Sequence, residues 1–215
     1  MKRILKAFLL AAALVLSLSS CRSTLGPALE LAEYRKNTKE LDFGAVLDDQ
    51  NGYHYPGLSW GISLDEVQKV TRDAVTKIVG VSEDGNVVYT AGYLNNLIEG
   101  RKNDDAQVGT TEKDELMSVM LVFTNENLKD GDIKQSVFYD AALKKLTDAF
   151  GQPDLTEKHT DSIQGGFKAD VEDLIWEKTL PDGRLNRMVF SKAYVSYSGE
   201  PDYVSLAFET VTSEE

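Results

Sequence analysis

A serine flanked by glycines is the feature of this 215-residue sequence that most directly suggests catalysis. Gly57, Ser59 and Gly61 fit the Gly-x-Ser-x-Gly pattern, which in esterases holds a nucleophilic serine on a sharp turn between a strand and a helix. The serine would also need a histidine base, and the chain has only His54 and His159. The next predicted helix starts too late, and strands and helices do not alternate as in that fold. A serine esterase using Ser59 is therefore the least favoured function.

Three aromatic side chains near this serine are candidate binding residues. Tyr53, Tyr55 and Trp60 combine apolar rings with polar ends, and such side chains are enriched where proteins contact ligands and partners. They could bind a glycan or another small ligand on the surface. The alternative, which we favour, is that they cover a helix or the edge of a sheet.

The other polar residues predict neither a metal site nor a cofactor site. Two isolated histidines and a single cysteine do not form the usual zinc site. The acidic turns at 48–49, 104–105 and 130–132 do not have the spacing of the calcium loop in EF-hands. The sequence also lacks a glycine-rich phosphate-binding loop. We therefore expect a protein that is not an enzyme, with no metal and no cofactor.

The N-terminal residues have the composition of a secretory leader. Lys2, Arg3 and Lys6 precede the apolar run from Ala7 to Leu16, and small residues follow. A positive start, a short apolar core and a small-residue exit are typical of a cleaved signal peptide. The core is shorter than the roughly 20 residues that span a bilayer. We predict a signal peptide at residues 1–20.

The leader ends in a motif that resembles the lipobox of bacterial lipoproteins. The motif is Leu18-Ser19-Ser20-Cys21, and Cys21 is the only cysteine in the chain. The resemblance implies a diacylglyceryl group on the Cys21 thiol, cleavage before it, and an acyl chain such as palmitate on the new N-terminus. It also implies a lipid-anchored, extracytoplasmic protein of the cell envelope, in the outer membrane if the host has one. The alternative is an ordinary signal peptide with an incidental cysteine.

The remaining chain is acidic. The formal net charge is −12, and it becomes −15 when the three positive charges of residues 1–20 are removed. Such a charge disfavours nucleic acid as a partner. We predict a tether at residues 21–45 and a single domain at residues 46–215, large enough to bury a core.

Two helices are predicted in this domain. Ser63 and Glu66 form a capping box, and helical spacing of apolar residues continues to Ile78, with Gly80 as the stop. The second helix is capped by Ser136 or Asp132, runs to Phe150 and stops at Gly151 and Pro153.

Five strands and two long polar loops complete the prediction. Strands follow strands in this order, which favours an α+β fold with a mainly antiparallel sheet. The predicted strands are 87–93, 115–123, 171–180, 184–192 and 203–209, and the predicted loops are 95–111 and 155–170.

Several of these elements resemble a known group of lipoproteins. Trp60-Gly61-Ile62-Ser63, Phe150-Gly151-Gln152-Pro153, Trp176 and the strand Val204 to Phe208 are similar to motifs of the SmpA/OmlA outer-membrane assembly lipoproteins, which have a β-lactamase-inhibitor-like fold. The resemblance implies two degenerate α-β units, 58–124 and 132–210. It further implies a non-enzymatic envelope-assembly or protein-binding module with a protein partner in the envelope.

Two helices with one apolar face each can cover one side of such a sheet. We therefore predict a two-layer sandwich, with a mostly polar opposite side around Ser205 and Glu209 as the docking surface. The predicted core consists of Val67, Val70, Ala74, Leu143, Leu146 and Phe150 on the helices and Leu121, Phe123, Trp176, Leu206 and Phe208 on the strands.

Overall fold

A computed structural model describes most of the chain after residue 38. The predicted leader, Cys21 and Ala74 lie outside the described residues. The described ranges are 39–71, 77–81, 87–90, 94, 96–125, 133–162, 168–195 and 199–211.

The fold is α+β with a mainly antiparallel sheet, as predicted. The helices are a short 3-10 helix (Phe43–Ala45), α1 (Leu64–Thr71) and α2 (Gln135–Phe150). The strands are β1 (Lys39–Glu40), β2 (Leu47–Asp48), β3 (Gly52–Tyr53), β4 (Lys77–Val81), β5 (Val87–Thr90), β6 (Asn96–Ile98), β7 (Arg101–Lys102), β8 (Asp105–Thr110), β9 (Leu116–Thr124), β10 (Leu155–Ser162), β11 (Lys168–Thr179), β12 (Leu185–Tyr194) and β13 (Tyr203–Val211).

Eight of these strands form one main sheet in the order β10-β11-β12-β13-β9-β8-β5-β4. All neighbours in it are antiparallel. Each half of the sheet follows one helix along the chain: α1 precedes the half that ends in β9, and α2 precedes the half that ends in β13. The last strands of the two halves pair at the centre of the sheet.

Helix α1 starts where the sequence predicts but ends early. The capping box is formed: Ser63 N donates to Glu66 Oε2 at 3.0 Å, and Glu66 N donates to Ser63 Oγ at 3.3 Å. The helix ends at Thr71, and the predicted continuation to Ile78 is wrong because residues 77–81 form β4 and pair with β5. These residues are rich in β-branched side chains, and their pairing with β5 outweighs the helical spacing of the sequence. Val70, predicted in the core, is 54% exposed.

Helix α2 confirms the second predicted helix. Lys134 stands at its N-cap without a side-chain hydrogen bond, so the predicted caps are wrong. Instead, Ser136 N donates to the Glu200 carboxylate at 3.1 Å. Gly151 ends the helix with φ 83°, and its N–H donates to Thr147 O.

Both predicted polar loops contain strands. Residues 95–111 include β6, β7 and β8, and residues 155–170 include β10. Strand β10 is at one edge of the main sheet, where exposed polar side chains are common and hide the strand pattern.

Part of the predicted tether belongs to the domain. Strand β1 pairs with β6, and Leu41 and Phe43 are buried in the main core. The domain therefore includes residues from Lys39 onward rather than from residue 46.

The main core contains side chains from both helices and from one face of the main sheet, which we call the first face. The Tyr139 ring of α2 stacks on Phe190 of β12 at 4.8 Å, and Phe138 contacts Phe123 of β9 at 4.8 Å. First-face residues in this core are Val119, Leu121, Phe123, Leu174, Trp176, Met188, Phe190, Val204, Leu206 and Phe208, and helix residues are Val67, Phe138, Tyr139, Ala142 and Leu146.

Candidate functional site

The predicted aromatic binding residues are part of the packing against the main core. Tyr53 is buried, its ring contacts Phe150 edge to face at 5.7 Å, and its N–H donates to Asn186 Oδ1 at 2.6 Å. Tyr55 and Trp60 are partly buried against the same core. These contacts correspond to the structural alternative stated for these rings.

The two half-buried rings also use their polar ends internally. Asn96 Nδ2 donates to the Tyr55 hydroxyl at 2.5 Å, and Trp60 Nε1 donates to Asn51 O at 2.7 Å. Both polar ends are therefore engaged by the domain itself.

Ser59 does not lie on a strand–turn–helix. It is an exposed residue five positions before α1, and residues 54–62 contain no strand. The His54 ring contacts Gly52 O at 3.1 Å and the Asp48 carboxylate at 3.6 Å, whereas His159 lies on β10. Within the described residues, neither ring forms a hydrogen bond with Ser59.

The face of the main sheet opposite the main core, which we call the second face, has an apolar centre. Cross-strand pairing aligns Ile175, Val189, Ala207 and Met120 in one row across β11, β12, β13 and β9. Together with Val122 they form a second hydrophobic cluster. The expectation of a mostly polar surface here is wrong, because it was based on the alternation in β12 and β13 and not on the residues that other strands place beside them.

The second face is also buried. Its five clustered side chains are 2–9% exposed, and all hydrophobic members that the described residues contribute, including the partly buried Tyr203, lie on strands of the sheet. Glu209, predicted on a solvated surface, is 3% exposed. Neither α1 nor α2 contributes to this cluster, so the two faces of the sheet differ in what packs against them.

A polar row containing Asp173 flanks the apolar row on one side. Ser191 Oγ donates to Asp173 Oδ1 at 2.5 Å, and His159 Nδ1 lies 3.7 Å from Asp173 Oδ2. The other ring nitrogen of His159 is 3.2 Å from Asp161 Oδ2. Burial raises the pKa of Asp173, and the hydrogen bond from Ser191 opposes that effect.

A second polar row flanks the apolar row on the other side. Cross-strand pairing aligns Glu177, Arg187, Glu209 and Ser118 in it. Arg187 Nε and Nη2 both lie 2.7 Å from Glu177 Oε1. Burial raises the pKa of Glu209 to about 7, although Arg187 favours the ionised form.

Three buried polar atoms of the second face lack a hydrogen-bond partner. They are Asp173 Oδ2, Ser118 Oγ and Gln107 Oε1. Leaving such an atom buried without a partner destabilises a protein by about 1–3 kcal/mol. The described part of the chain thus leaves hydrogen-bonding capacity unused on this face.

A groove of about 350 Å³ lies over β10, β11 and β12, and several of its polar groups are paired with each other. Lys158 Nζ and Lys192 Nζ contact the Glu172 carboxylate at 2.7 and 3.1 Å, and Thr160 donates to Asp170 at 2.8 Å. This groove therefore has fewer polar atoms without a hydrogen-bond partner than the second face has.

The described residues contain neither a cluster of metal ligands nor a membrane-spanning helix. No group of three or more His, Cys, Asp or Glu side chains there could hold a metal ion. No helix in the same residues is long and apolar enough to cross a membrane.

Comparison with known proteins identifies no relative. No family model matches the chain, and neither a curated protein nor a solved structure is significantly similar to it.

Proposed function

We propose that this chain is a lipid-anchored envelope lipoprotein that binds a protein partner through the second face and catalyses no reaction. The observation that carries the proposal is the composition of this face: an apolar row lies between two polar rows, and neither helix contributes to it. Apolar centres with polar rims are typical of protein interfaces.

The proposed fold is a two-layer sandwich of two degenerate α-β units, in which both helices cover the first face. The contacts of Phe138 and Tyr139 with Phe123 and Phe190 support it, as does the presence of Val67 in the same core. The arrangement of one helix before each half of the sheet supports two related units. In this arrangement the second face is the side of the sheet that neither helix covers.

Anchoring is tested at Cys21. Mass spectrometry of the purified protein should find a diacylglyceryl-modified cysteine at the N-terminus, and Cys21→Ala should release the protein from the membrane fraction. An unmodified thiol at Cys21, or a chain that retains residues 1–20, would refute the lipoprotein part of the proposal.

Docking is tested by site-specific crosslinking. A photo-crosslinking amino acid in place of Ser205, which is half-buried on the second face, should capture one partner in stoichiometric yield from intact cells. The matched control is the same amino acid in place of Val137, which is 54% exposed on α2. Capture from position 137 alone would place the interface elsewhere, and capture from neither position would contradict the proposed function.

A further inference from the structure

We propose that strand β10 binds an extended segment of a partner protein, which adds to the main sheet as a further antiparallel strand. The segment carries a lysine or arginine opposite Glu157 and an aspartate or glutamate opposite Lys158. This inference concerns the edge of the sheet and does not depend on docking at the second face. It follows from the exposure of β10, the regularity of its pairing and the order of its charges.

Strand β10 uses its backbone on one side only. It is the first strand in the order of the main sheet, and all eight of its residues pair with β11. About half of the backbone N–H and C=O groups of an edge strand point away from its neighbour. Among the described residues, these outward groups of β10 have no backbone partner. Such groups are the ones that a strand from another protein binds in strand-addition complexes.

The side chains of β10 are accessible. Thr156, Glu157, Lys158 and Thr160 are exposed, and Leu155 is 41% exposed. The hydrophobic clusters of the described ranges contain no residue of β10. An added strand can therefore contact β10 without any rearrangement of the core.

The opposite edge of the sheet is protected in a way that β10 is not. Strand β4 has five residues, and its register with β5 shifts between Ile78 and Gly80. Short edge strands and bulges oppose the addition of another strand. Strand β10 has eight residues, a continuous register with β11 and no proline. Of these two edges, β10 is thus the one that can accept a regular strand.

The lysine of β10 does not block its outer side. An exposed lysine on an edge strand usually opposes strand addition. Lys158 Nζ, however, is 2.7 Å from Glu172 Oε2 on β11, so this side chain leans inward over the sheet. The groove over β10, β11 and β12 lies beside it. Neighbouring strands are about 4.8 Å apart, so a long side chain of the added strand can enter this groove from the free edge.

The order of the charges argues against a second copy of this chain as the added strand. In an antiparallel pair related by a two-fold axis, one residue of β10 lies opposite itself. The two registers with the longest overlap have Lys158 or His159 on the axis. The first places two lysines opposite each other, and the second places Glu157 opposite Asp161. Like charges that face each other across strands are destabilising, so both registers are disfavoured.

A partner strand with the reverse order of charges avoids this conflict. A cation opposite Glu157 and a carboxylate opposite Lys158 form two favourable cross-strand pairs. Within the described part of the chain, the ion pairs of β10 involve Lys158, His159 and Asp161. Glu157 is exposed beside them, so the cation of the partner gains the most from this residue.

The test is an NMR titration of the full mature chain with a synthetic peptide of threonine and valine that contains one glutamate followed directly by one lysine. Two further forms carry N-methyl groups on alternate backbone nitrogens, one at odd and one at even positions. The N–H groups of a strand alternate between its two edges, so only one form keeps the donors that face β10. That form should bind about tenfold more tightly than the other and shift the amide signals of residues 155–162.

The charge assignment is tested by a reversal at Glu157. Glu157→Lys should weaken the binding of the unmethylated peptide about fivefold. A peptide with glutamate in place of its lysine should show the opposite preference and bind this variant more tightly than the wild type. The matched control is Glu112→Lys, at an exposed turn, which changes the net charge equally and should leave both affinities unchanged.

Equal binding of the two methylated forms, binding of neither, or signal changes confined to residues outside 155–162 would overturn strand addition at β10. Equal effects of Glu157→Lys and Glu112→Lys would overturn the charges assigned to the partner. A dimer of the mature chain that the unmethylated peptide dissociates, detected by sedimentation, would also overturn the inference, because a second copy would then be the occupant. Crosslinking from position 205 reports on the second face separately, so the two proposals can fail independently.

Discussion

The two faces of the main sheet use buried side chains in opposite ways. On the first face, the apolar residues of the strands join α1 and α2 in one extensive core. On the second face, a five-residue apolar cluster lies between polar rows that include Asp173 and Glu209. A sheet face that serves only stability gains nothing from buried carboxylates. The two faces therefore differ in how their buried polar groups are satisfied, and the proposed docking function concerns the second face alone.

Buried polar groups show the same contrast at the level of single residues. Asn186, near the first-face core, accepts from Tyr53 N at 2.6 Å and donates to Tyr53 O and Glu209 O at 2.9 and 3.0 Å. Asp173 on the second face accepts from Ser191 through one oxygen and leaves the other without a hydrogen-bond partner. The Asn186 side chain is fully hydrogen-bonded within the domain, whereas the Asp173 side chain is only partly so.

The largest expected effect is on the first face. Leu146→Ala should lower the free energy of unfolding by about 2–5 kcal/mol, since Leu146 is 1% exposed in the main core and its truncation leaves a cavity. Urea denaturation measures this change. The matched control on the same helix is Val137→Ala, at a residue that is 54% exposed, and it should change stability by less than about 0.5 kcal/mol. Equal effects of the two variants would contradict the assignment of the core.

The second expected effect is a pH dependence from the second face. The pKa of Glu209 in the folded protein is about 7, above its ordinary value of 4.5. Protonated Glu209 therefore adds to the free energy of unfolding. This contribution is fully present below pH 4.5 and is lost as the pH rises through 7. Glu209→Gln cannot ionise, so its stability relative to the wild type should rise by about 3 kcal/mol between pH 4 and pH 8.

Urea denaturation of both proteins across this pH range checks the prediction. The control is Glu112→Gln, at an exposed turn, which should show no such change. A constant difference between Glu209→Gln and the wild type would show that Glu209 is not held in buried surroundings.

A smaller loss is expected where β3 joins the sheet. Asn186→Ala removes three hydrogen bonds and leaves backbone groups of Tyr53 and Glu209 without them, so it should destabilise the domain by about 2 kcal/mol. Thermal unfolding measures the loss. A change within error would mean that other groups satisfy these atoms.

The smallest effect concerns a turn residue. Asp104 lies in the predicted loop 95–111, where truncating a side chain usually costs little, but its Oδ2 accepts from Thr124 N at 2.7 Å and from Thr124 Oγ1 at 3.3 Å. Asp104→Ala should therefore destabilise the domain by about 1 kcal/mol. Glu112→Ala, at an exposed turn, serves as the reference and should be neutral. Identical stabilities of the two variants would mean that the hydrogen bonds of Asp104 add nothing to the stability of the domain.

Local signals in the sequence predicted the structure correctly where the conformation of a segment depends on its own residues. The Ser63–Glu66 capping box, the stop of α2 at Gly151 and the turn between β11 and β12 all depend on residues a few positions apart. Local signals gave the wrong structure where pairing with a distant strand outweighs the local pattern. Residues 77–81 continue a helical pattern but pair with β5, and the polar strand β10 has no pattern of its own. The packing of the aromatic candidates also depends on distant residues, because Tyr53 packs on Phe150, almost a hundred residues away.

The sequence by itself determined the motif at Cys21, the acidic charge and the α+β class, because composition and local spacing carry these properties. Only the tertiary structure determined which residues lie together on the second face. Asp173, Val189 and Ser118 lie far apart in the chain and stand on one surface because the register of β11, β12, β13 and β9 aligns them. A shift of one residue in any of these strands would move its side chains to the other face, and the alternation within a single strand does not fix the register of its neighbours.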